Sequence, residues 1–477
     1  GAPVLDHTTA ILTAIEAART SRRRLVFNSG GVFRVVERAT RNINGVTTGY
    51  ALPFRSGVHM EGYGAKLQYT HDFSGSTRGF APFSNICENS LGEVISGFSL
   101  KGLEFVNTAT GNEAQANILL VGGNNAGATD YVTDFEFSDL KSVRGGIFYY
   151  LITARTDSAR TIKRFKVRNT THTNSQNSTF NGAGVSEFEV DGIQLTGSLY
   201  DCVMLFNAQS GKIKGLRCTG VADNVVAIEV GQPAAYADDI MENVQISDII
   251  SDSGRVQVSM LGATQKISGV TLTSTNVPTL QVTNSSTGVV EGVTGSDINL
   301  KPTTDQARGL FVSGVSGVRL SGSIVGDPSV GLVGLQNVKT SEISFSLKHP
   351  AGTKKNVIVT KCDRVAGKFS AVGGTDGIYF IGSSGPTTNS TFDCNFSGLT
   401  GNDIGFDGAT NLGYTFDAFG YWSGPAFNFS SNAGDRVKVR LQAGYGLPVE
   451  LNNGEALTVK HEFHGVTSEA STDTLHY

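Results

Sequence analysis

Carboxylate residues at a regular spacing are the part of this sequence that most directly suggests chemistry. Asp201 and Asp223 are 22 residues apart, each just before a strand-like apolar segment, and Glu229 lies in the middle of the second segment. Asp239 follows in a longer polar stretch. Two carboxyl groups, one protonated and one ionised, can perform general acid and base catalysis. Glu229 is the strongest candidate, because a carboxylate in mid-strand has no turn-forming role.

A repeat that runs through most of the chain determines how these residues are positioned. Its phrase, apolar, any residue, then Gly, Asn or Asp, then apolar, occurs thirteen times between residues 60 and 399, at intervals of 20 to 40 residues. One copy is Val190-Asp191-Gly192-Ile193, and Arg364 is the exception at the third position. Gly, Asn and Asp enter the left-handed backbone region at low cost, so we expect one tight bend per repeat. The pattern predicts an all-β fold, a right-handed parallel β-helix.

Further segments divide each repeat and mark the ends of the coil. Segments at 203–207, 226–230 and 256–260 predict a third strand in each repeat. Residues 6–20 predict an amphipathic helix, N-capped by Asp6, that closes the open end of the coil. We expect three domains: capping helix and opening strands (1–50), parallel β-helix (51–405), and a small C-terminal β-domain (406–477) for capping, trimerisation or carbohydrate binding.

The composition excludes several classes of partner. The 477 residues include 59 glycines and carry a net charge of −4, which disfavours nucleic acid binding. No apolar run is long enough to insert into a membrane. Five cysteines without a Cys-x-x-Cys spacing predict reduced core residues, and we expect neither a metal nor a cofactor.

The start of the chain resembles a known family. A helix with an Ala-Ile repeat at 10–15, a strand, glycine turn and strand at 24–35, and Ser-Gly-Val-x-apolar-x-Gly-x-Gly at 56–64 resemble pectate-lyase-like β-helices, especially bacteriophage tailspike depolymerases. Phe27-Asn28-Ser29-Gly30 replaces the usual aromatic-Pro-x-Gly phrase. The resemblance implies a homotrimer on a virion tail, attached to the tail or baseplate through a segment outside this sequence. It would bind and cleave bacterial surface polysaccharide, capsule or O-antigen, at the host cell surface.

Within that expectation, we predict an endo-acting glycosidase with a carboxylate pair drawn from Asp201, Asp223, Glu229 and Asp239. Neighbouring coils place equivalent residues ~5 Å apart and alternate coils ~10 Å apart, which spans the separations of retaining and inverting enzymes. Insertions at 154–162 and 231–242 should bracket the binding groove. The predicted substrate-binding residues are Tyr150, Arg155, Asp157, Arg160, His172, Phe206, Tyr236 and Asp238.

Three alternatives stay open. A polysaccharide lyase on the same fold would use a base and a group that neutralises a uronate, and Tyr200 and Arg255 could serve. A non-catalytic receptor-binding fibre or adhesin would grip glycan without cleaving it. A secreted pectinolytic enzyme is disfavoured, because no secretory signal is visible at Gly1.

Overall fold

The computed structural model describes two compact units. One comprises Gly1–Val270 with Ser286–Gly288, and the other comprises Thr271–Ser285 with Val289–Tyr477. The described residues are 6–452, apart from 44–45, 71–78, 86–93, 109–115, 124–130, 154–159, 231–239, 262–264, 351–353, 382–384, 386, 401–403, 408–414, 422–426, 431–435 and 443–448.

The described residues of the first unit form one helix and 21 strands. The helix is α1 (Thr8–Ser21), and the strands are β1 (Leu25–Val26), β2 (Val32–Arg34), β3 (Ala39–Ile43), β4 (Val46–Pro53), β5 (His59–Tyr69), β6 (Gly79–Ser84), β7 (Ile95–Ser96), β8 (Ser99–Asn107), β9 (Ala116–Gly122), β10 (Val132–Ser138), β11 (Lys141–Gly145), β12 (Ile147–Thr153), β13 (Ile162–Ser175), β14 (Phe180–Ala183), β15 (Val185–Ser198), β16 (Val203–Phe206), β17 (Gln209–Val221), β18 (Asn224–Val230), β19 (Ile240–Ser251), β20 (Arg255–Met260) and β21 (Lys266–Ser268).

The second unit contains the remaining strands. They are β22 (Thr271–Val277), β23 (Thr279–Asn284), β24 (Val289–Glu291), β25 (Thr294–Leu300), β26 (Arg308–Ser313), β27 (Arg319–Val325), β28 (Gly331–Gln336), β29 (Lys339–Lys348), β30 (Lys355–Thr360), β31 (Asp363–Val372), β32 (Ile378–Ile381), β33 (Ser390–Ser397), β34 (Ile404–Asp407), β35 (Thr415–Tyr421), β36 (Phe427–Ser430), β37 (Arg436–Gln442) and β38 (Val449–Asn452).

In each unit, every coil contributes strands to two sheets, and the strands of successive coils pair in parallel. In the first unit, sheet 1A includes β13, β15, β17 and β19, and sheet 1B includes β12, β14, β16, β18 and β20. In the second unit, sheet 2A includes β25, β27, β29, β31 and β33, and sheet 2B includes β23, β26, β28, β30 and β32. The opening hairpin of β3 and β4 is antiparallel. The predicted all-β, right-handed parallel β-helix is confirmed.

The predicted corner column is visible in the backbone. Twelve of the thirteen third positions of the repeat have positive φ angles, between 50° and 74°. They are Gly102, Asp139, Asn169, Gly192, Gly215, Asp248, Gly269, Gly292, Gly317, Asn337, Arg364 and Gly398. Arg364, the exception by residue type, bends at φ 54° like the others, so the coil imposes the conformation even where the residue does not favour it. At Gly62 the left-handed angles fall instead on Tyr63 and Gly64.

The predicted third strands form as β16, β18 and β20. Parallel pairing continues through β35 to β38, so the change of sequence pattern near residue 405 brings no change of pairing up to Asn452. The proposed domain boundaries after residues 50 and 405 stay a prediction.

Helix α1 begins two residues later than predicted. The N-cap is His7 and not the predicted Asp6, although Asp6 Oδ1 accepts from the Thr8 amide at 2.9 Å. The buried residues Ile11, Ile15 and Ala18 form the inward face, as their spacing predicts. The helix is joined to β2 by the amides of Arg34 and Val36, which donate to His7 Nδ1 at 3.0 Å and to Thr8 Oγ1 at 2.9 Å.

Two observations bear on the expected classes. The four described cysteines, Cys202, Cys218, Cys362 and Cys394, are buried free thiols, as core residues should be. Within the described part of the chain, no helix is long and apolar enough to cross a membrane.

A stack of phenylalanines fills the interior behind sheet 1A. Phe135 stacks on Phe98 with ring centroids 5.1 Å apart and on Phe165 at 4.8 Å, and Phe165 stacks on Phe188 at 5.5 Å. The parallel register places Gly211 next in this column. A Cβ at Gly211 would lie 2.0 Å from the Phe188 ring, so glycine ends the stack by leaving room for the last ring.

We expect Gly211→Ala to lower the midpoint of thermal unfolding, because the new methyl overlaps the Phe188 ring, a type of overpacking that costs about 1–3 kcal/mol. Phe188→Leu removes the clashing ring edge, so the same glycine substitution should cost less in that background. Equal destabilisation in both backgrounds would show that the ring is not the cause.

Candidate functional site

The face of sheet 1B opposite the core carries a strip of aromatic, apolar and polar side chains, some buried and some half-buried. Strand alternation puts Leu151, Leu205 and Ile228 in the core, where each is fully buried. The residues immediately before and after these core positions form two columns on the opposite face. We call these columns the outer strip: Tyr150, Asn181, Met204, Ala227 and Gln257 in one, and Ile152, Ala183, Phe206, Glu229 and Ser259 in the other.

Glu229 is the carboxylate within this strip. Its register partners are Phe206 on the preceding coil and Ser259 on the following one. The Gln257 side chain donates from Nε2 to Glu229 Oε1 at 3.1 Å. Glu229 is 8% exposed, so its carboxylate is largely shielded from solvent. In such a partly desolvated position a carboxylate interacts more strongly with nearby charges than it would in bulk water.

A polar network lies at the other end of the same strands. Asp201 precedes β16, and its Oδ1 accepts from the backbone amide of Asn224 at 3.1 Å and from Nδ2 of Asn224 at 2.7 Å. Arg255 donates from Nε to Asn224 Oδ1 at 2.7 Å and from Nη2 to Asp223 Oδ1 at 2.9 Å. Asn224 therefore links a buried aspartate to an ion pair at the surface.

Asp201 has the properties of a carboxyl group that holds its proton. It is 1% exposed, and burial, with added repulsion from the charges of Asp223 and Glu229, raises its pKa from 3.8 to about 6. The Asn224 hydrogen bonds act in the opposite direction and are outweighed. Its Oδ2 has no hydrogen-bond partner among the described residues. Asp201 and Glu229 thus lie in unlike surroundings, one enclosed before β16 and the other on the outer strip.

The described ends of the two predicted insertions meet. Arg160 donates from Nη2 to the carbonyl oxygen of Ile240 at 2.6 Å, so the two insertion points lie on the same side of the coil. Five predicted site residues lie outside the described residues: Arg155, Asp157, Tyr236, Asp238 and Asp239. Their roles stay predictions.

Two aromatic candidates occupy different sides of the wall. Tyr150 is half-buried on the outer strip, where it and Phe206 pack against Ile152 and Ala183. Tyr149 is fully buried, and its hydroxyl lies 2.8 Å from Thr170 Oγ1.

His172, a predicted substrate-binding residue, lies inside the coil. It is fully buried, its Nδ1 is 3.0 Å from Thr179 Oγ1, and its ring meets the Phe148 ring edge-on at 5.4 Å. Burial lowers its pKa to about 3, so the imidazole is neutral at physiological pH. A side chain in this position cannot touch a ligand on the outer surface, and we leave it out of the proposed site.

The two residues considered for a lyase differ in their surroundings. Tyr200 is exposed on the turn before β16. Arg255 is already held in an ion pair with Asp223 and hydrogen-bonded to Asn224.

Sequence reasoning missed three members of the site: Gln257, Asn224 and Asn181. Gln257 lies between the buried Val256 and Val258, so alternation in the predicted third strand was a usable signal. Asn224 had no such signal, because its role depends on the side chain of Asp201 one coil earlier.

Comparisons with known proteins extend to the fold alone. No family model and no curated protein matches this chain. Similar solved structures include the A-module of the Azotobacter vinelandii mannuronan C-5 epimerase AlgE6 (14% identity, 87% of this chain and 94% of that one, TM-score 0.43). Others are the Streptococcus pneumoniae surface adhesin PfbA (14%, 84% and 90%, 0.41) and a tailspike mutant of E. coli bacteriophage HK620 in complex with a pentasaccharide (11%, 97% and 75%, 0.42). At these identities and TM-scores, nothing about the chemistry of this chain follows from the similarity.

Asp201 should make stability depend on pH. Above pH 6 the folded protein holds a buried charge that the unfolded chain, with a pKa near 3.8, carries in water. Wild type should therefore lose up to about 3 kcal/mol of stability from this group as the pH rises from about 4 to above 6. Asp201→Asn keeps an acceptor for Asn224 and cannot ionise, so the unfolding midpoint of this variant should rise relative to that of wild type as the pH increases over this range. If the difference in unfolding midpoint between this variant and wild type does not change between pH 4 and pH 7, the assignment is contradicted. The control is Glu136→Gln, which replaces an exposed carboxylate on sheet 1A.

Proposed function

We propose that this chain is a polysaccharide depolymerase that binds a bacterial surface glycan, capsule or O-antigen, along the outer strip and hydrolyses its glycosidic bonds. The observation that carries the proposal is the presence of two carboxyl groups in unlike surroundings at sheet 1B: Asp201 is buried with its pKa raised to about 6, and Glu229 lies on the outer strip. Paired carboxyl groups whose surroundings separate their protonation states are the machinery of glycoside hydrolysis.

The two groups take different roles. Asp201, with a pKa of about 6, is proposed as the general acid; because its Oδ2 is buried, its proton would pass to the glycan through water and not by direct contact. Glu229, at the edge of the surface beside Gln257, is the ionised carboxylate that acts as base or nucleophile. Asp223 stays in its ion pair with Arg255 and keeps a negative charge near Asp201.

The strip around Glu229 offers the contacts that a sugar chain needs. Phe206 and Tyr150 are half-buried, so each presents part of a ring on which the apolar face of a pyranose can stack. Asn181 and Gln257 add amide groups that can bind hydroxyls, and Arg160 and the insertion residues Arg155, Asp157, Tyr236, Asp238 and Asp239 are proposed to border the groove.

Hydrolysis fits these contacts better than elimination. A lyase must neutralise a uronate carboxylate, and the cation considered for that role, Arg255, is already neutralised by Asp223 at 2.9 Å.

Glu229→Gln should abolish depolymerisation of the cognate capsule or O-antigen polysaccharide while leaving the unfolding midpoint near that of wild type, because the amide keeps the shape and loses the charge. Asp201→Asn should also abolish activity; if Asp201 only supports Asn224, this variant stays active, since its Oδ1 still accepts. Glu136→Gln should retain full activity. The assay is size analysis of the products of a purified polysaccharide panel. Products with unsaturated ends would instead indicate a lyase, and binding without cleavage throughout the panel would indicate a glycan-binding fibre.

The pH dependence of the rate should also show whether Asp201 must be protonated for activity. A general acid must be protonated to act, so kcat/KM should fall as the pH rises above about 6. A profile that stays flat between pH 5 and pH 8 would remove Asp201 from the acid role.

We also propose that the chain works as a homotrimer on a phage tail, an inference that rests on the sequence resemblance of the opening coils to tailspikes. Sedimentation equilibrium should give a mass three times the 50.3 kDa of one chain. A monomer mass at micromolar concentration would count against the tailspike assignment and leave the carboxyl pair untouched.

A further inference from the structure

The outer face of sheet 2B, in the second unit, carries two cations supported by aromatic rings. The register aligns Phe311, Gly334, Ile358 and Tyr379 in one column across β26, β28, β30 and β32. It aligns Arg308, Gly331 and Lys355 in a neighbouring column. We call Arg308, Phe311, Gly334, Lys355 and Tyr379 the Arg308 surface.

Each cation lies over a ring. The Arg308 guanidinium carbon is 4.9 Å from the centroid of the Phe311 ring, and the Lys355 ammonium is 3.1 Å from that of Tyr379. Such cation–π contacts fix the position of long side chains that would otherwise sample many rotamers. The rings therefore hold the two charges at set places on the surface.

Gly334 lets Arg308 adopt this position. A Cβ at Gly334 would lie 2.5 Å from both Cδ and Nε of Arg308, so any larger residue would displace the arginine stem. The side chain thus crosses from its own column to the Phe311 column over a glycine.

Arg308 lacks the counter-charge that Arg319 and Lys368 of the same unit have. Arg319 pairs with Glu342 and Lys368 with Asp393, each at 3.7 Å. Arg308 forms no ion pair with a described residue, and its Nε is buried without a hydrogen-bond partner there. Burial lowers its pKa, the direction expected for a partly desolvated cation. An anion bound from outside would offset this cost.

We propose that the Arg308 surface binds acidic residues of a polysaccharide, with Arg308 and Lys355 holding uronate carboxylates. That the ligand is a polysaccharide rests on the proposed function, while its acidic character follows from the two cations. Arg308 and Lys355 are two coils apart, ~10 Å at the strand spacing, so they can hold carboxylates on separate sugars.

The test measures binding without cleavage. The full chain with Glu229→Gln is run in affinity electrophoresis against polygalacturonate, alginate and neutral dextran. We expect retardation by at least one of the two polyuronates, weakening with added salt, and none by dextran. Arg308→Met with Lys355→Met should lower the affinity at least about tenfold. Phe311→Leu, which keeps both charges and removes the ring beneath Arg308, should give a smaller loss.

Arg319→Met and Lys368→Met are the matched controls, because each removes an exposed cation on sheet 2A that already has a carboxylate partner. Unchanged affinity in these controls supports the proposal. No retardation by either polyuronate at low salt, or an equal loss in the controls, overturns it. If wild type hydrolyses a polysaccharide but binds neither polyuronate, the proposal for the Arg308 surface is wrong and that for the carboxyl pair is unaffected. If it binds polyuronate but hydrolyses no polysaccharide, the proposal for the carboxyl pair is wrong and that for the Arg308 surface is unaffected.

Discussion

The parallel register between successive coils is the constraint on which the rest of the structure depends. Each strand pairs with its equivalent in the next coil, so one sequence position becomes a column of side chains spaced ~4.8 Å apart. The column then determines what each residue can do. One column bends in the left-handed region, another stacks phenylalanines from Phe98 to Phe188, and another presents Phe206 and Glu229 to the outside. Where a large side chain needs extra room, the equivalent position in the next coil must be small, as Gly211 is beside the Phe188 ring.

The same stacking explains how unlike charge states arise among close carboxyl groups. Asp201 is enclosed between coils, where the asparagine of the next coil satisfies one oxygen and burial favours the protonated form. Asp223 belongs to the next coil, and Arg255, one coil further, holds it as a carboxylate at the surface. Glu229 lies further along the strand, against apolar neighbours and one amide. Three acidic residues on neighbouring coils thus have three environments, and a proton can be held by one while another stays charged.

Much of the coil could be predicted from residue types, because bends and alternation are local properties. The corner positions and the third strands β16, β18 and β20 follow from Gly, Asn and Asp spacing and from apolar alternation. Burial of polar residues could not be predicted in this way. His172 and Asp201 are polar residue types that are usually exposed. The hydroxyl of Thr179, seven residues after His172, and the backbone and side-chain amides of Asn224, one coil after Asp201, give them hydrogen-bond partners inside the coil. Arg308 is a similar case, since its position depends on Gly334 one coil away.

The central claim, that glycan is bound and cleaved over the outer strip, is tested most directly by a crystal structure of Glu229→Gln with an oligosaccharide of its polysaccharide. The account predicts a sugar ring against Phe206 or Tyr150, with a glycosidic oxygen between the substituted side chain and the Oδ2 side of Asp201. An oligosaccharide bound on sheet 1A, or on sheet 1B with its glycosidic oxygens remote from both residues, would contradict it.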